Sequence, residues 1–117
     1  MRLLIAIIND PDKVVDILDE FYDENIKGGT VIESAGMAHI IADHVPFFSR
    51  FAELDQGKDP TCNKTIFVVV ENDEAREKAI KAIESVIGDL NEPDTGIALT
   101  VPLDFCKGIV KTEGDSQ

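Results

Sequence analysis

The chain has 117 residues and a mass of 12.8 kDa, room for one domain with a thin core. Hydrophobic residues make up 44% and charged residues 29%, a balance that excludes wholesale disorder. There are 23 acidic residues against 11 basic ones, a formal net charge of -12, and no basic cluster relieves it, so nucleic acid and anionic membrane surfaces are disfavoured as partners. Two cysteines, Cys62 and Cys106, are too few for a zinc quartet or a disulfide framework, and free thiols are the expectation. The apolar run at 3–8 is too short for a signal-peptide core, and nothing approaches the roughly 20 apolar residues of a membrane span. The sequence therefore reads as cytoplasmic, without membrane insertion.

Residues 3 to 8, Leu-Leu-Ile-Ala-Ile-Ile, predict a central strand. Asp10 offers an N-cap carboxylate and Pro11 suits the first position of a helix. Val14, Ile17, Leu18, Phe21 and Tyr22 follow at helical spacing and predict its inner face, with Asp16, Asp19, Glu20 and Asp23 outside. The helix is expected to stop near Asn25, Gly28 and Gly29 to turn the chain, and Thr30 to Ser34 to form a strand. Residues 64 to 71 carry the β-branched run of the clearest strand. Asn72 or Asp73 then caps a second helix, with Ala79, Ile80, Ile83 and Ile87 inward and Gly88 at its end. Glu74 and Lys78, and Glu77 and Lys81, are spaced for ion pairs on its outer face. A loop from Asp89 to Gly96 leads to a last strand, Ile97 to Val101, stopped by Pro102. The tail at 111–117 is polar.

This order, β-α-β, a long middle segment, then β-α-β, predicts a single α+β domain over 1–117. Its expected architecture is a ferredoxin-like βαββαβ sandwich, one antiparallel sheet with both helices on one face. The bare sheet face would be apolar and would call for a partner. The segment at about 38–63 is longer than connections in compact domains usually are, which marks it as a place to look for function.

Ile26-Lys27-Gly28-Gly29-Thr30-Val31-Ile32-Glu33-Ser34-Ala35-Gly36 resembles the second-strand signature of the nitrogen-regulatory PII proteins, I-x-G-x-T-V-x-E-x-x-G. The order of elements over roughly residues 2 to 101 is similar to that family's as well. The resemblance implies a homotrimeric signal-transduction protein, not an enzyme. A small-molecule effector, in that family an adenine nucleotide, would lie in clefts between subunits. A long T-loop, here about 38–63, would contact a target protein or transporter. The cleft would be lined by Thr30, Gly36, Met37 and Ala38 and by the Gly88–Gly96 loop, with Asp89 and Thr95 in it. Arg50 and Lys107 are candidate anion contacts.

The sequence departs from the family at the phosphate-binding loop, which reads like T-G-x-x-G-D-G-K there and Gly88-Asp89-Leu90-Asn91-Glu92-Pro93-Asp94-Thr95-Gly96 here. Glycines let backbone amides approach phosphate and a lysine holds its charge. Here the lysine is gone and three carboxylates stand in the loop. The family's arginine pair after the last strand is also missing, leaving Lys107 and Lys111. Weak ATP binding, or none, is the expectation, and with it no ATP-dependent sensing of 2-oxoglutarate. No tyrosine occurs in 38–63, so the family's uridylylation is not supported.

The segment Ala38 to Phe51 holds three of the six phenylalanines, Phe47, Phe48 and Phe51. They predict a loop folded back to supplement the core, an exposed docking surface for a partner shared with His39 and His44, or a wall of a ligand cleft. His39, Asp43, His44, Asp55 and Cys62 match no metal-ligand spacing, so solvated side chains are the better reading and no metal is assigned. Arg50, Lys58 and Lys64 are the basic residues of this segment, ordinary surface charges or anion contacts. No Ser/His/Asp order, Cys/His dyad or carboxylate pair stands out, so no catalytic residue is named. A small enzyme or metal-binding protein on the same scaffold is the alternative reading.

Overall fold

The computed structural model describes residues 1–37, 40–41 and 63–109. Strand β1 runs over Arg2–Ile8, a 3-10 turn over Pro11–Lys13, helix α1 over Val14–Asp23 and strand β2 over Thr30–Ser34. Strand β3 follows at Asn63–Val70, helix α2 at Asp73–Ile87 and strand β4 at Gly96–Pro102. The four strands form one sheet in the order β2-β3-β1-β4, every neighbouring pair antiparallel. This α+β arrangement is compatible with the predicted ferredoxin-like sandwich.

The local chemistry accounts for the elements. The Asp10 carboxylate accepts from the Asp12 amide at 3.1 Å, so Pro11 opens a 3-10 turn that passes into α1 at Val14. Asn25, at φ 62, ends the helix, and the Ile26 amide bonds back to the Phe21 carbonyl at 2.7 Å. Asn72 caps α2 by accepting from the Ala75 amide at 2.8 Å. On the outer face of α2, Lys78 pairs with Glu74 at 3.6 Å, while Glu77 takes its neighbour Arg76 at 3.0 Å. Asp73 at the helix start pairs with Arg2 of β1, tying α2 to the sheet.

Period-two alternation divides the sheet into two faces. Leu4, Ala6 and Ile8 of β1 and Ile66, Val68 and Val70 of β3 are almost fully buried. They pack with Val14, Ile17 and Phe21 of α1 and Ala79, Ala82 and Ile83 of α2 in one core. Both helices therefore cover the same face. Two inner-face expectations need correction. Tyr22 is 66% exposed and lies beside the Lys27 ammonium, because it sits about 100° round the helix from Phe21. In α2 the buried stripe runs through Ala82, and Ile80 and Ile87 are only half-buried at its flanks.

The other face carries apolar rows in register. Ile32, Thr65, Ile7 and Ile97 form one row. Thr30, Phe67, Ile5 and Leu99 form the next, and Val69, Leu3 and Val101 the last. Ile32, Ile97, Leu99 and Val101 are 45%, 57%, 41% and 38% exposed. Among the described residues no helix lies on this face, and no helix is long and apolar enough to cross a membrane.

Candidate functional site

Antiparallel pairing collects four chain positions at one end of the sheet. Glu33, Lys64, Ile8 and Gly96 form its last full cross-strand row. Past Glu33, β2 leads to Gly36 and Met37; into Gly96 runs the α2–β4 loop with Asp89 and Thr95. Both halves of the expected cleft thus share one end of the sheet. They belong to opposite edges, however, three strand spacings or about 14 Å apart. Within one chain the structure does not bring them together.

At the β2 edge the Ser34 hydroxyl donates to Asn63 Oδ1 at 2.6 Å and receives from the Thr65 hydroxyl at 2.8 Å. Thr65 is buried at 6% exposure, so this chain of bonds satisfies the polar groups in an otherwise apolar row. Gly36 is half-buried beside Asn63, and Met37 stands 77% exposed. The Ile40 amide donates to the Gly36 carbonyl at 3.1 Å, a bond of helical spacing just past the end of β2. Lys64 lies opposite Glu33, an opposite-charge pair across the two strands.

At the β4 edge the loop is held by its own side chains. Gly88 caps α2 at φ 91, a conformation that favours glycine, and its amide reaches the Glu84 carbonyl at 2.9 Å. The Leu90 amide donates to Glu84 Oε2 at 3.0 Å, and the Asn91 amide to Asp89 Oδ1 at 2.9 Å. The Glu92 amide reaches the Asp89 carbonyl at 2.9 Å, and the Thr95 hydroxyl the Glu92 carbonyl at 2.8 Å. Gly96 has a separate reason to be glycine: a Cβ there would meet the Ile7 carbonyl oxygen at 2.6 Å. Both glycines of this loop thus have structural roles of their own.

Two other expected site residues lie elsewhere. Thr30 is exposed in the middle row of the bare face, about 10 Å along β2 from Glu33. Lys107 is exposed beyond Pro102, past the end of β4 opposite Gly96. Ala38, His39, His44, Phe47, Phe48, Arg50, Phe51 and Cys62 lie outside the described residues, as does the tail at 111–117. Cys106 is a free, exposed thiol. Among the described residues no three His, Cys, Asp or Glu side chains converge as metal ligands.

Sequence reasoning missed the Glu84–Leu90 contact and the Ser34–Asn63–Thr65 chain. An acid in the last turn of α2, where the helix dipole favours a base, was a signal for the first. The second had none, because it joins residues about 30 apart through strand register. No protein-family model matches this chain, and no curated protein matches it either.

Proposed function

We propose that this chain is a PII-like, non-enzymatic regulatory protein with a ferredoxin-like fold. It works as a homotrimer that binds a small-molecule effector in clefts between subunits and signals to a partner protein through the 38–63 segment. The resemblance at 26–36 and the strand order β2-β3-β1-β4 support the fold. One observation supports the assembly above the rest: the direction of the two edge strands. β2 runs parallel to β1 and β4 runs parallel to β3, so the edges are mutually antiparallel. Setting β4 of one copy beside β2 of the next therefore continues the antiparallel ladder. Repeated about a three-fold axis, this head-to-tail contact closes on itself. The ring turns the apolar rows inward and leaves the helices outside, which removes two exposed edges and a bare face together.

The same contact completes the cleft. Thr95 and Gly96 of one subunit come beside Gly36 and Met37 of its neighbour, because both pairs sit at the same end of their strands. The 38–63 segment follows Met37 directly in the chain, so an effector in the cleft would lie next to where that segment starts. Light scattering on the purified protein tests the reading. A mass of three chains at micromolar concentration is expected, and a stable monomer refutes it.

A further inference from the structure

Three consecutive amides of the α2–β4 loop already have acceptors within the chain: Leu90 with the Glu84 carboxylate, Asn91 with the Asp89 carboxylate and Glu92 with the Asp89 carbonyl. Loops that cradle phosphate instead aim successive unpaired amides at one point outside the chain, with a cation nearby. Residues 89–95 contain no Lys or Arg and three carboxylates, so an entering phosphate would meet negative charge, and the amides at 90–92 are already engaged. Glu84 stands in the last turn of α2, which has no basic residue and where the helix dipole disfavours an acid. Its carboxylate is held by the Leu90 amide, and the Leu90 side chain packs against the core. Loop and helix end are thereby locked to each other.

We propose that Glu84 is a specificity-determining positioning residue. It holds the Leu90 amide inward and fixes the loop in a form that rejects phosphate, so the effector of this cleft carries no phosphate group. The inference rests on the reading of the loop as a cleft wall. Its test is a titration of the ¹⁵N-labelled full chain with inorganic phosphate and, separately, ATP. The amides of Leu90, Asn91 and Glu92 are followed in the wild type, in Glu84→Gln and in Glu84→Ala. In the wild type and in the Gln variant, whose side-chain carbonyl still accepts, these amides do not shift saturably. In the Ala variant the Leu90 amide exchanges with solvent about tenfold faster or more, and its resonance moves with millimolar phosphate. Saturable shifts in the wild type overturn the proposal without need of any variant. Equal Leu90 exchange in all three proteins also overturns it, as does an Ala variant whose freed amide ignores phosphate. The mass of the same samples reports on assembly separately: a monomer that rejects phosphate refutes the trimer and leaves the role of Glu84 standing.

Discussion

Replacing Leu99 by lysine separates the assembly from the fold. Leu99 lies in the middle row of the bare face, opposite Ile5, and is 41% exposed in the single chain. In the proposed trimer, completing its burial against a neighbour would contribute about 1 kcal/mol per copy. A lysine there would lose that contribution and place an unpaired ammonium in the closed interior, at several kcal/mol per ion. Each 1.4 kcal/mol is tenfold, so the association constant should fall on the order of 10³-fold per copy. The folded chain loses little, because Leu99 is outside the helix-covered core and a lysine on an edge strand can run its stem along Ile97 and Val101 with the charge in water. Light scattering and circular dichroism over a range of concentrations read both effects. The wild type should have the mass of three chains and a melting temperature that rises with concentration. Leu99→Lys should be a folded monomer whose melting temperature does not depend on concentration. A variant that keeps the trimer mass at micromolar concentration refutes the packing of these rows inward.

Other substitutions act through single contacts. Gly96→Ala forces a Cβ against the Ile7 carbonyl oxygen, and two stretches of backbone must part, so denaturant melts should show a loss of about 1–3 kcal/mol. A loss under about 0.5 kcal/mol would mean that β4 shifts freely. Asn72→Ala removes the cap bond to Ala75 and should cost about 1 kcal/mol, whereas Asn72→Asp should keep it. Replacing residues 39–60 by a short Gly-Ser connection should leave a cooperative melt, since the core of Leu4, Ile17, Phe21, Ile66, Val68 and Ile83 lies outside that stretch. Effector and partner binding should vanish with it. If instead Phe47→Ala, Phe48→Ala and Phe51→Ala each cost roughly 3–5 kcal/mol, those rings belong to the core first.

The elements of this protein are legible in its sequence because each is set by near neighbours. The run Ile66-Phe67-Val68-Val69-Val70 favours a strand, Asp10 and Asn72 cap the helical turns that start just after them, and Gly88 permits the positive φ that ends α2. The order of the described strands and helices and the apolar character of both sheet faces arise from the same patterns. Tyr22 escaped them because an apolar residue at the flank of a helical stripe is told from its core only by what packs there. The candidate site depended on tertiary structure for a related reason. Strand pairing decided that the 36–37 and 88–96 halves share one end of the sheet but lie on opposite edges. It also joined Ser34 to Asn63 and Thr65, and brought Gly96 so close to Ile7 that only a glycine fits. Helix caps and periodicities are local consequences of backbone geometry. Edges, rows and close approaches come from the register of residues far apart in the chain, which is chosen when the two helices and one face of the sheet bury their side chains together.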